Sequence, residues 1–548
     1  QTDNTVSCSK LWWHDIKRTF QLAGRQRIQM YRFKNKILQT YALWFFGIFI
    51  FTLVLSAYAG DEEIDSLFTP VTSMYSAPDD AAIGVAIPGS QQDVIINLTP
   101  LKSKSEAYGK VRIDFLDHSI IVRRTKFLAG LKGSVTWIGK PENLDGSIVM
   151  SVCGNVLFGC IELKDEVYKI EPVRGTNTHR IFKLDPEKAA PVDDGGLVPP
   201  RDELPDEMNK IPAIPAGKDD GLVFDVLALY TNGFAEAYPG DELVAQISYL
   251  AGVANTSYTN SEVALTARVV GLKEVDYTDD GKLKDALDDV TNGNDVFSGV
   301  AALRNQLGAD LVVLLSVFKE SNDACGLGWQ MLSLSSSFEK WAFSVVHVGR
   351  FSYGSGYKYC TDQTLVHEMG HNMGCDHEAI NAIGGVFKYS YGYCFYPYKS
   401  VMAYCGSETR VSHFSNPNVS YDGIATGAED ANNAQSINKV KQTISQFRDS
   451  KCLGAMTVSS NSLLLNREEI SEVTVTITGE YDYPVEGESV TAKLNASGKK
   501  LISISSTSNT TDTNGQIAFT IIALKKKGTA KVTFNSGCLK KSITAKVR

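Results

Sequence analysis

Histidine is scarce in this chain: eight residues among 548. Charge of one sign is lacking as well. The formal net charge is −8, and no basic block stands out beyond a short Lys run near the C-terminus. That balance argues against nucleic acid as a partner. Long apolar runs are nearly missing. Only Ala42–Leu55 approaches one, and it falls short of the roughly 20 residues that a spanning helix needs. The chain is too long for a single core, which implies about three domains.

The scarce histidines are not scattered. Three of the eight lie in the eleven residues from His367 to His377. The spacing predicts a helix over Leu365–Met373, which puts His367 and His371 on one face. Two neutral imidazoles about 2.0–2.1 Å from one ion make half of a tetrahedral zinc site. Gly374 tolerates the positive φ that ends a helix. The turn there can return His377 as a third ligand and leave the fourth position open for water, as catalytic zinc requires. Glu368, one step round the helix, can hydrogen-bond that water without being a ligand. The bland alternative is a surface helix that carries histidines by chance; the added glycine and third histidine weigh against it.

His367-Glu-x-x-His371-x-x-Gly374-x-x-His377 resembles the metzincin metalloprotease signature. That family also has a methionine turn forming an apolar floor under the ligands. Ser400-Val401-Met402-Ala403-Tyr404 is similar to that turn. The stretch from Phe414 to Gly423 and a helix ending in Gln446-Phe447-Arg448 resemble bacterial reprolysin-like secreted proteases. Two positions depart from animal reprolysins: Glu378 follows the third histidine where they have Asp, and Tyr404 follows the turn. The Met-x-Tyr element is similar to astacins and serralysins. The resemblance gives Tyr404 a zinc-contacting or oxyanion role, with a buried floor residue as the alternative. It implies one catalytic zinc, Glu368 as general base, and proteins or peptides as substrates. Calcium sites are not legible in the residues.

The catalytic part is expected over 219–452. Leu222–Thr231, Val263–Val275 and Leu311–Val317 read as strands; Asp241–Tyr258 and Val296–Leu307 read as helices. Such alternation indicates an α/β layer with a mostly parallel sheet. The metzincin resemblance adds one antiparallel edge strand, for which Cys325–Leu332 is the candidate. An extended peptide can pair with such an edge, and Gly326 and Gly328 leave room for close approach. Phe343–Val348 reads as a last strand, with His347 packed rather than ligating. Asn433–Asp449 reads as a closing helix. Cysteines 325, 360, 375, 394, 405 and 452 crowd this half, which fits bridges formed in an oxidising compartment. The expected pairs are Cys325–Cys360 and one involving Cys375 and Cys394.

Residues 1–29 receive no assignment. Residues 30–59 read as a signal peptide: Arg32, Lys34 and Lys36 precede the apolar run, and Ala57-Tyr58-Ala59 has a signal-peptidase form. That makes the mature chain secreted, extracellular or at the cell surface, without a stable membrane span, and the expected source is bacterial. Residues 60–184 read as a β-rich propeptide, with strands at Val111–Phe115, Ser119–Val122, Gly146–Val152, Val156–Glu162 and Val167–Ile170. The run from Tyr168 to Pro172 before His179 is similar to reprolysin propeptides. Cys153, followed by Gly154, is the candidate for a zinc-binding latency thiol; a disulfide or a packed pair with Cys160 is the alternative. Residues 185–218 are rich in Pro, Asp and Glu and read as an exposed linker, with Arg201 and Lys218 as candidate activation sites. Residues 455–548 read as short strands around the turn signal Thr511–Gly515, implying a β-sandwich. They resemble bacterial Ig-like domains of the invasin type, with a cell-surface or matrix ligand as the implied partner. The reading from another class is a surface adhesin whose protease domain is catalytically silent.

Overall fold

A computed structural model describes residues 64, 66–71, 84–190, 196–200, and 221–548 except 323, 354–355, 407, 452–453, 480–482, 486–487 and 537–538. The expected signal peptide, Arg201 and Lys218 lie outside the described residues. Residues Ser66–Arg548 form one compact unit. Among the described residues no helix is long and apolar enough to cross a membrane.

Residues 66–184 build a nine-stranded antiparallel sheet. Its two end strands, Phe68–Pro70 and Lys110–Phe115, approach each other. The Leu67 N–H donates to the Arg112 carbonyl at 2.7 Å, so the sheet closes on itself. Closure removes exposed strand edges and encloses a core of Phe115, Trp137, Met150, Tyr168 and Ile170. The five strands expected here form, and His118–Ala129 runs well past the expected Val122.

The second layer is α/β. Strand β1 (Val223–Thr231) feeds helix α1 (Asp241–Asn260), strand β2 (Thr266–Val275), helices α2 (Leu283–Asn292) and α3 (Val300–Leu307), and strand β3 (Leu311–Val317). Short strand β4 (Gly326–Gly328) and strand β5 (Phe343–Val348) complete a sheet of order β2-β1-β3-β5-β4. Its pairs are parallel except β4–β5, which is antiparallel. β1 and β3 are apolar runs because both faces are covered by other elements. Helix α1 is buried nearly all round. One side meets the sheet; the other takes Ile138, Val149, Phe158 and Cys160 of the closed N-terminal sheet into the same core. A helix apolar all round must be covered all round. Ion pairs also tie the two layers: Lys169 Nζ reaches Asp362 at 2.8 Å and Arg350 reaches Glu171 at 2.9 Å.

Beyond 454, a four-stranded and a five-stranded sheet share one core that includes Val473, Val475, Phe519, Val532 and Phe534. Burial alternates along Gln516–Ala523, as a strand with one inward face requires.

Three buried histidines away from the signature are held neutral. The Leu157 N–H donates to His179 Nε2 at 3.1 Å, so that nitrogen keeps its lone pair. Burial lowers His179 and His347 to about 4 and His413 to about 3, against an ordinary 6.5. Between those values the unfolded chain binds the protons. Their stabilisation is therefore complete above pH 6.5 and is lost as pH falls toward 4. Urea midpoints should drop between pH 7 and pH 5 by the equivalent of roughly 1–2 kcal/mol for each histidine. His347→Gln should flatten that slope.

Candidate active site

Helix α4 (Thr364–Asn372) carries the first two histidines, and all nine of its residues are buried. Leu365, Val366 and Met369 pack into the main core, fixing which face His367 and His371 present. Their ring centroids are 4.9 Å apart. The helix ends where expected: Gly374 has φ +76°, and the Cys375 N–H donates to Gly370 O at 2.9 Å. A β-carbon at Gly374 would stand 2.5 Å from Val386 Cβ, so glycine is required for space as well as for φ.

His377 returns because of Asp376. The fully buried Asp376 carboxylate accepts N–H donors from His377 at 2.7 Å, Ile383 at 2.8 Å and Gly384 at 2.6 Å. These bonds fold the loop onto the helix. The three imidazoles then each offer a ring nitrogen, all within 4.8 Å of one another. His367 Nε2 and His377 Nε2 stand 3.2 Å apart, close to the roughly 3.3 Å edge expected from tetrahedral bonds of 2.0–2.1 Å. The other nitrogens are committed elsewhere. His367 Nδ1 pairs with Val401 O at 2.9 Å, and His371 Nδ1 pairs with Gln330 Oε1 at 2.6 Å. Nδ1–H donated to oxygen places the Nε2 lone pair inward, the tautomer a metal takes. The donor set therefore fits a divalent ion with N-ligand preference.

Met402 is fully buried, and its Sδ would lie 2.6 Å from a β-carbon added at Gly370. It sits directly beneath the helix turn between the two histidines. Tyr404 stands with its ring 4.3 Å from that of His377. Its backbone N–H donates to Glu378 Oε2 at 2.7 Å, which gives Glu378 a purpose in holding this turn. The fully buried Glu368 lies against β4. A β-carbon at Gly326 would come within 2.4 Å of Glu368 Oε1. What approaches these edge glycines closely is thus the Glu368 carboxylate.

Residues 222–415 match the family profile described as Reprolysin_5, metallo-peptidase family M12. That segment is a reprolysin-like metallopeptidase domain. The protease is similar to proteins named peptidyl-Asp metalloendopeptidase. That of Stenotrophomonas maltophilia (strain R551-3) is 25% identical over 420 residues, covering 70% of this chain and 94% of its own. That of Xanthomonas campestris pv. campestris is 25% identical over 311 residues, covering 55% and 70%. That of Pseudomonas aeruginosa is 28% identical over 269 residues, covering 43% and 42%.

Several expectations for the protease need correction. Cys325 does bond Cys360, but Cys394 bonds Cys405. Cys375 is a free buried thiol pushed well up by burial, with Sγ 3.8 Å from Asn433 O. Its side chain faces the core because its neighbours must hold the loop. Cys153 and Cys160 are also free, so they form no disulfide. Cys153 contacts Lys132 O and Asp241 Oδ1, at 3.9 and 3.8 Å, and burial raises it to about 11. Those surroundings oppose the thiolate that zinc binding needs. The linker is not wholly exposed: Gly196 and Pro199 are buried, and the Leu197 N–H donates to Gly328 O at 3.1 Å. Sequence reasoning also passed over Asp376 and Gln330. A short acidic residue between the glycine and the third histidine was the available signal for the first; nothing marked the second.

Proposed function

We propose that this chain is a secreted, zinc-dependent endopeptidase made as a latent proenzyme. The observation that carries the reading is the convergence of three buried imidazoles beside a buried carboxylate. His367, His371 and His377 would hold the ion. When bound, zinc supplies a Lewis acid that polarises the scissile carbonyl and acidifies water. Glu368 accepts the attacking water's proton and returns it to the leaving amine. Tyr404, beside His377, donates to the oxygen on which charge develops. Met402 and Val401 hold the ligands from below. The site's close packing excludes bulk water and strengthens each of these interactions.

In this reading residues 30–59 are a signal peptide, 60–184 a propeptide, 185–218 an activation linker, 219–452 a metzincin domain and 455–548 an Ig-like domain with an adhesive or targeting role. The parallel sheet with its antiparallel β4 supports the metzincin assignment, and the two C-terminal sheets on one core support the Ig-like one. Purified protein with its linker cut should contain one zinc and hydrolyse casein. A chelator should abolish that hydrolysis; zinc without chelator-sensitive cleavage would refute the proposal.

The relatives' name suggests aspartate as the selected side chain here too. Arg410 supports this: it is buried in the loop after Met402, with its guanidinium 5.9 Å from the Tyr404 ring centroid and bonded to Val401 O. Lys399 lies near enough that Arg410 helps burial lower it to about 8. Arg410→Gln should reduce kcat/KM on an Asp-containing peptide by about 10- to 100-fold, the value of a charge-assisted hydrogen bond. The Ala-containing analogue should change little. Equal losses on both peptides would make Arg410 purely structural.

A further inference from the structure

We infer that the closed N-terminal sheet is a permanent layer of the enzyme, held on helix α1 as a non-covalent second chain after the linker is cut; this rests on the reading of residues 185–218 as an activation linker. Strand Lys110–Phe115 of that sheet alternates buried and half-buried residues, as a strand with one covered face does. Strands Gly146–Cys153 and Val156–Leu163 do not alternate. After a half-buried first residue, every position of both is buried. Ile148, Met150 and Leu157 belong to the sheet's own core, while Val149, Phe158 and Cys160 belong to the core of the protease domain. An antiparallel sheet that met water on its outer side would carry polar residues there. The residues of these two strands therefore fit a face that stays covered.

Helix α1 is shaped for the same contact. Sixteen of its 20 residues are buried, so it has no face suited to water. Gly252 lies mid-helix, where glycine is less favourable than alanine. A β-carbon there would stand 2.7 Å from Thr136 Cγ2 and 2.8 Å from Val149 Cγ1, so the glycine is what lets the sheet seat. One turn earlier on the same face, Ser248 Oγ pairs with Ser134 Oγ at 2.9 Å. Polar groups of the two parts also satisfy one another. Buried Glu162 accepts from Gln363 Nε2 at 2.9 Å and from Ser412 Oγ at 2.6 Å. Asp362 accepts from Lys169 Nζ at 2.8 Å and from the Tyr249 hydroxyl of α1 at 2.6 Å. Separation would expose apolar faces on both sides and break the bonds that cross the seam. Cutting the linker removes only a tether, whose contribution is an effective concentration. Both disulfides lie within the protease domain and Cys153 and Cys160 are free, so among the described residues only the backbone joins the two parts covalently. A continuous shared core matches a lasting interface rather than a transient one.

The test uses the full chain with a site-specific protease sequence in place of residues 203–209, cut to completion as judged on a denaturing gel. Gel filtration and native mass spectrometry are run at about 1 μM, where only complexes tighter than micromolar persist. A Glu368→Gln background prevents further digestion. The two fragments should elute together as one particle holding one copy of each. Gly252→Ala serves as a second variant. Alanine favours the helix, so any weakening arises at the seam. After dilution, the cut Gly252→Ala particle should dissociate on the order of 10-fold faster than the cut parent. Fragments of the parent that run apart would overturn the inference, and so would equal dissociation rates for parent and variant. Casein hydrolysis by the cut chain with Glu368 intact is read across the same elution. Chelator-sensitive hydrolysis in the fractions that hold both fragments is the expected result. Hydrolysis confined to fractions of the C-terminal fragment alone would overturn the inference. Co-elution without hydrolysis would uphold the retained sheet and count against the peptidase reading.

Discussion

Glu368→Gln should leave one zinc per chain and an unchanged melting temperature, and should lower kcat by about 10³-fold. The substitution keeps shape and volume, which matters because Glu368 is fully buried against Gly326 and Gly328. An amide cannot accept the water's proton at neutral pH, and it cannot deliver one to the leaving amine. The loss should therefore fall on kcat while KM stays near its original value, since the carboxylate's work is confined to the reaction step. Steady-state kinetics on a short peptide, with metal content measured on the same sample, checks this. A loss below about tenfold would mean that another group takes the proton.

The second large effect is loss of the metal. His377→Ala removes one of three protein donors. Structural zinc sites with four protein ligands contribute about 10–16 kcal/mol, so one ligand carries roughly 3–4 kcal/mol, or about 10²- to 10³-fold in affinity. The variant should lose zinc on dialysis against a weak chelator that leaves the parent loaded. The fold should survive, because α4 is held by Leu365, Val366 and Met369 in the main core rather than by the ion. Retained zinc in His377→Ala would mean that the third donor has been misassigned.

Much of the site was legible because its geometry is written in spacing. A separation of four positions places His367 and His371 on one helix face, and a glycine three residues on ends the helix. β1 and β3 were legible because strands covered on both faces are mostly apolar, the buried Asp225 of β1 being held by Arg268 at 2.7 Å. Helix α2 was passed over: Leu283, Ala286, Leu287 and Val290 make its buried stripe, but aspartates and polar residues dilute the signal. Cys375 misled because a cysteine among metal ligands in an oxidised half invites pairing, whereas three-dimensional position decides it. The linker misled for another reason. Its Pro- and Asp-rich composition says only that it cannot form a core of its own. Backbone pairing with a strand edge needs no particular side chain, so Leu197 on β4 left no trace in the residues. Closure of the nine-stranded sheet was hidden likewise, because it depends on Leu67 and Arg112 meeting across the ends of the order.

The most direct test is anomalous diffraction at the zinc edge from crystals of the linker-cut protein. One peak bonded to His367, His371 and His377 together, with the Glu368 carboxylate on its open side, is the predicted result. A peak at any other donor set, or His377 turned away from a metal held by the two helix histidines, would contradict the account.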